Sequence, residues 1–94
     1  TGIDKVVSDI IDNTGDIYTA FLRGDYAIGK DSGLIDLVIV GDDLNTEEIE
    51  RVRKKTEKLI ERKISILQLT INEYNNLKSK FDEENTLVLI EKPE

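Results

Sequence analysis

Apolar residues recur along this chain at two periods, and the switches between them mark its elements. Ile3, Val6, Val7, Ile10 and Ile11 fall at i, i+3, i+4, i+7 and i+8, which predicts an amphipathic helix within residues 1–14. Asn13, Thr14 and Gly15 form its stop signal. Residues 17–22 (IYTAFL) are rich in β-formers and too short for a helix before Gly24, so they read as a strand. Residues 24–33 contain three glycines and read as a bent loop. Residues 34–40 (LIDLVIV) are apolar except for Asp36. Closed by Gly41, Asp42 and Asp43, they predict a central strand covered on both faces.

The second half alternates helix and strand. Asn45 starts a long helix with Glu48 as capping-box partner, and Ile49, Val52, Thr56, Leu59 and Ile60 keep the helical period to about residue 62. Residues 63–69 alternate as a third strand. Thr70 and Glu73 form a second capping box, opening a short helix with Tyr74, Leu77 and Phe81 facing inward. Residues 82–85 are a polar break. Residues 86–90 (TLVLI) are a fourth strand, ended by Pro93. The order α-β-β-α-β-α-β argues for an α+β fold: one mixed sheet of about four strands with helices packed on it. No internal repeat or low-complexity tract interrupts it.

Composition narrows the chemistry. With 94 residues there is room for one domain, at roughly 100–200 residues per domain. No apolar run reaches the ~18 residues that would span a membrane, and the start lacks a secretory signal pattern. With no Cys there is no disulfide, thiol nucleophile or thiolate metal site; with no His there is no imidazole base or ligand. These absences point to a cytoplasmic setting. The net charge is −7, concentrated in residues 1–45, where nine acids face three bases. Such a chain is a poor non-specific nucleic-acid binder, because phosphate contacts need clustered cations. Carboxylates, lysines, hydroxyls and backbone amides remain for function.

One stretch carries a pattern. Residues 21–40 read FLRGDYAIGKDSGLIDLVIV. This resembles the signature of the minimal nucleotidyltransferase superfamily, the DNA-polymerase-β-like fold. In that family a Gly-Ser turn after the first strand is followed by x-Ala-Arg-Gly. A second strand then carries two aspartates around one apolar residue, and a third carboxylate sits on a later strand. The turn offers amides and a hydroxyl to a triphosphate. Aspartates at i and i+2 share one strand face and hold Mg²⁺ together. The resemblance implies that Gly24, Ala27, Gly29 and Asp36 keep the family pattern. The family's Ser is Asp25 here, its Arg is Ile28, its first aspartate is Leu34, and residues 63–69 contain no acid. One carboxylate does not replace three, and Asp25 puts a negative charge where a triphosphate would lie.

Each of these residues has a second reading. Asp36 is either a residual metal ligand or a carboxylate held by hydrogen bonds from the amides of the 24–33 loop; a lone acid on a buried strand favours the latter. Gly24, Gly29 and Gly33 cradle a phosphate or simply allow positive φ, and Asp25 between them favours turns. Arg23 and Lys30 read as solvated or acid-paired. Arg51, Lys54, Lys55, Lys58 and Arg62 form a basic stripe, but interleaved Glu50, Glu57 and Glu61, with Glu47–Arg51 and Glu50–Lys54 pairs, make it a solvated ionic face. Tyr26 reads as an exposed contact residue and Tyr74 as core.

The expectation is therefore a catalytically inactive nucleotidyltransferase-like domain with a regulatory or interaction role, needing no cofactor. Asp25, Tyr26 and Leu34 mark its partner surface, for a second copy, another protein or a small effector. The Gly-Asp-Tyr-Ala and Asp-Ser-Gly-x-Ile-Asp-Leu motifs also resemble domains fused behind winged-helix, ArsR-like bacterial transcriptional regulators. In that case residues 1–14 are a connector, and DNA is contacted only through a separate N-terminal domain. Two alternatives stay open. One is a divergent enzyme using Mg²⁺ and an NTP, with Asp36 on the metal and Asp25 or Asp31 standing in for lost acids. The other is the small antitoxin-type subunit of a toxin–antitoxin pair.

Overall fold

The computed structural model describes residues 2–12 and 14–91. Asn13 and Pro93, expected to stop the first helix and the last strand, lie outside the described residues, as do the side chains of Ile3, Val6 and Val7. Helix α1 spans Gly2–Asp12, followed by strands β1 (Gly15–Asp16) and β2 (Thr19–Arg23) and a 3₁₀ turn (Asp25–Ile28). Then come β3 (Leu34–Val40), β4 (Asp43–Leu44), α2 (Thr46–Ile60), β5 (Lys63–Leu69), α3 (Ile71–Phe81) and β6 (Thr86–Glu91). The main sheet has the order β5-β3-β2-β6, with β3 parallel to β5 and the other pairs antiparallel. The four expected strands and three expected helices are all present.

Strand β3 is central because its sequence tolerates burial on both faces. Ile35, Leu37 and Ile39 point to one side, where they pack with Ala20, Leu22 and Ile64 beneath Ile10 of α1 and Val52 of α2. Val38 and Val40 point to the other, where Phe21, Leu69 and Phe81 close the core under α3. Burying a side chain such as Leu37 or Ile39 contributes about 2 kcal/mol. The second layer is aromatic. The Phe21 and Phe81 rings meet edge-on at 5.2 Å, and Tyr74 stacks on Phe81 at 6.2 Å. Tyr74 thus takes the inward place expected of it.

The two capping boxes turn out differently. Thr70 and Glu73 exchange both bonds of a complete box at the start of α3. At α2 only half forms: the Asn45 side chain accepts from the Glu48 amide, while the Glu48 carboxylate accepts from Arg51 instead. The ion pairs expected on this helix also shift by a residue. Arg51 pairs with Glu48, and Arg53 pairs with Glu50 and Glu57. The i,i+3 partners win here over the expected Glu47–Arg51 and Glu50–Lys54 pairs.

Strands β1 and β4 were not foreseen, since two residues carry no readable period. They pair antiparallel, Gly15 with Leu44 and Asp16 with Asp43. A Cβ on Gly41 would sit 2.5 Å from the Asp16 carbonyl oxygen, so only glycine admits this approach. Helix α1 packs on the domain, with Ile10 fully buried in the core beside Val52.

Candidate functional site

The face of the sheet under α3 is covered only at one end. Registers place the rest. Arg23 of β2 lies opposite Asp36 of β3, and Ser65 of β5 lies opposite Asp36 on its other side. Leu34, two residues from Asp36 along β3, shares that face by strand alternation. Phe21 and Val38, on the same face, are buried under α3. Arg23, Leu34, Asp36 and Ser65 therefore form the open end of this face.

Asp36 does not accept from the loop amides, which corrects the expectation. Its Oδ2 accepts from Arg23 Nε at 3.0 Å. Its Oδ1 is buried and accepts no hydrogen bond within the described residues. Arg23 reaches a second carboxylate as well: its Nη1 lies 3.9 Å from Glu84 Oε2. Its guanidinium carbon stands 5.8 Å from the centre of the Phe81 ring, a cation–π contact. A permanently charged group thus stands between an acid of β3 and an acid of the turn that follows α3. Arg23 was expected to be solvated or acid-paired, and it is acid-paired. Its place beside Asp36 was missed, because closing the 24–33 loop symmetrically would set Arg23 opposite Leu34, and the true register is offset from that by two residues. Ser65 was missed for the same reason: its position depends on β5 register, which no local pattern reports.

The metal that such a fold implies does not fit these residues. Mg²⁺ requires near-octahedral oxygen ligands, usually including more than one carboxylate or phosphate. Here Leu34, on the same face of β3, is aliphatic, and Ser65, opposite Asp36 on β5, is a hydroxyl. The remaining carboxylate already faces a guanidinium. Unit charges 4 Å apart interact by about 4 kcal/mol at an effective dielectric of 20, so repulsion from Arg23 would offset the pull of Asp36 on an added cation.

The loop is equally committed. The Gly24 amide donates to Asn85 O, the Ala27 amide to Gly24 O, the Gly29 amide to Tyr26 O and the Lys30 amide to Asp25 O. The last three close the 3₁₀ turn, and the Gly24 amide ties the loop to the residue before β6. Gly24, Gly29 and Gly33 have φ of 75°, 81° and 86°, the turn-forming role anticipated for them. Gly29 ends the turn in the left-handed region, where a side chain would be strained.

Asp31, not Asp36, is the carboxylate that gathers the loop. Its Oδ1 accepts from Tyr26 Oη at 2.6 Å and from the Gly33 amide at 3.0 Å. Its Oδ2 accepts from Arg62 Nε at 3.0 Å and Nη2 at 2.6 Å. The hydrogen bonds from Arg62, then from Tyr26 and Gly33, hold its carboxyl well below the usual carboxylate range. Burial, and then the bond to Asp31, push the Tyr26 phenol above its ordinary value. Tyr26 is consequently buried, at 9% exposure, and does not offer the contact surface expected of it. Arg62 leaves the basic stripe to join this latch. Leu34, at 43%, and Ile28, at 58%, are exposed, and Asp25 is half-buried. The positions where the resemblance puts a metal-binding aspartate and an arginine thus present aliphatic side chains. A cleft of about 200 Å³ lies between α3 and β6, lined by Phe21, Tyr74, Phe81 and Val88 among others. No residue of the 24–33 loop lines it, so this concavity and the motif do not coincide.

No family model matches the sequence, and no curated protein matches it. Solved structures do match in three dimensions. The chain superposes on a chain of one mutant form of the toxin–antitoxin MntA–HpeT with a TM-score of 0.69 and 13% identity, covering 95% of this chain and 73% of that one. A second mutant form of the same toxin–antitoxin gives 0.67 and 14%, with 96% and 72% covered. Among the described residues no helix is long and apolar enough to cross a membrane, and no group of three or more His, Cys, Asp or Glu is placed to hold a metal ion. At this identity the likeness concerns the fold alone, an α+β domain with one mixed four-stranded sheet and helices packed on it.

Proposed function

We propose that this chain is a non-catalytic nucleotidyltransferase-like domain that acts by binding a protein partner. The observation that carries this reading is the open end of the sheet. Where catalysis would need three carboxylates, the face presents Leu34, Ser65 and an Asp36 already paired with Arg23. Both halves of the reading draw on the same residues. Acids that would hold metal are gone, and an exposed aliphatic residue stands in the place of one of them. Such a side chain on a strand face is stabilised by being covered.

The toxin–antitoxin neighbours support a separate protein partner. The small antitoxin-type reading therefore ranks above the winged-helix regulator, whose DNA-binding domain would appear as an upstream reading frame continuous with this one. The partner surface is assigned to Leu34 and Asp25, without Tyr26.

Co-expression with the proteins encoded next to it tests the proposal. One of them is expected to co-purify with this chain. Leu34→Asp should abolish that capture, while changing stability by no more than about 0.5 kcal/mol, since Leu34 is half-exposed. In the same complexes, Mg²⁺ and each α-labelled NTP should label neither chain. Transfer of label would establish the divergent enzyme instead.

A further inference from the structure

The bridging guanidinium has a meaning beyond the loss of catalysis. Arg23 sits at the end of β2, bonded to Asp36 Oδ2 at 3.0 Å and reaching Glu84 at 3.9 Å. It is held from behind by the face of Phe81. Its side chain is 25% exposed and that of Asp36 is 24% exposed, so the pair is largely shielded from water. A cation drawing together carboxylates from separate elements is the structural task of a divalent metal in this kind of site. Guanidinium performs it with planar, directional donors and a charge that does not titrate.

We propose that Arg23 is a built-in cation that takes the place of the metal, leaving the open end of the sheet neutralised and ordered without any divalent ion. The proposal rests on the non-catalytic reading and adds a cause to it. Restoring acids at positions 34 and 65 is not enough to restore a metal site, because the position beside Asp36 is already filled by positive charge. The face stays organised for a partner at any free Mg²⁺ concentration.

Mn²⁺ titration of the ¹⁵N-labelled chain tests this by paramagnetic broadening. In the wild type, the amides of Arg23, Asp36 and Ser65 should show no selective broadening. In a Leu34→Asp/Ser65→Asp background, which supplies the missing acids, Arg23→Gln removes the charge while keeping a polar side chain, and selective broadening at Asp36 should then appear, with affinity raised about tenfold or more over the same background with Arg23 retained. Arg23→Lys keeps the charge and should behave like the wild type. A well-dispersed spectrum of Arg23→Gln in that background with no gain in Mn²⁺ binding at Asp36 overturns the substitution of cation for metal and leaves the non-catalytic reading standing. Selective broadening at Asp36 in the wild type overturns both. Should Arg23→Gln fail to fold, Leu34→Asp/Ser65→Asp with Arg23 retained decides the matter. No broadening at Asp36 supports the proposal, and broadening there contradicts it.

Discussion

Arg23, Asp31 and Asp36 divide the work of this loop in a way that residue types alone misassign. Asp36 has one cationic partner and one buried oxygen that accepts nothing within the described residues, so removing its partner is costly. Arg23→Gln should destabilise the fold by about 2 kcal/mol, the scale of a lost hydrogen bond to a charged group, and denaturant unfolding will measure it. A value near zero would mean that the pair is incidental. Asp31 gives a pH prediction. Its carboxyl is held low in the folded chain by Arg62, Tyr26 and the Gly33 amide. Its contribution to stability is therefore fully present above the unfolded value of about 3.9, and is lost as pH falls from there through the lower folded value. The Gly33 amide shift should show no step near pH 4, titrating only in stronger acid. A step at about pH 4 would show that the latch does not hold the carboxyl down. The motif letters were readable in the sequence, but which acid served the loop was not. Beside its near neighbours Tyr26 and Gly33, Asp31 gains a cationic partner from Arg62, 31 residues away, and no local spacing reports such a contact.

Elements were more legible than their ends. The four main strands and three helices follow from period and turn chemistry, because each buries a face that the pattern announces. The long apolar run at residues 34–40 was enough to place β3 in the centre. Register was not legible, and it is register that puts Arg23 and Ser65 on either side of Asp36. The pairing of β1 with β4 was hidden for a different reason: it depends on a glycine contact across the chain rather than on alternation. Helix α2 ends with a non-glycine residue in the left-handed region, Glu61 at φ 55°. Its amide bonds back to Glu57 O as in a left-handed helix cap. A side chain there costs about 1 kcal/mol relative to glycine, so Glu61→Gly should stabilise the domain by about 0.5–1 kcal/mol and raise Tm by several degrees. Thermal unfolding checks this. A fall in Tm would show that the Glu61 side chain contributes more than its backbone costs.

At the scale of the molecule, fold and site have separated. The sheet order, the crossover through α2 and the two packed faces form a scaffold supported by buried residues on both sides of β3. Under the proposed non-catalytic reading, Leu34 and Ser65 stand where catalysis would need acids, and Arg23 pairs the remaining Asp36. The Ala27, Gly29 and Lys30 amides bond within the turn, the loop carboxylate bonds to Arg62, and the strand carboxylate bonds to Arg23. A triphosphate with its metal would have to displace all three. The most direct measurement is a ¹H–¹⁵N titration of the chain with Mg²⁺ and then ATP. This account predicts no saturable shifts from Gly24 to Asp36. Shifts concentrated there and saturating at micromolar to low millimolar ATP would contradict it, and would show that the loop still opens to a nucleotide.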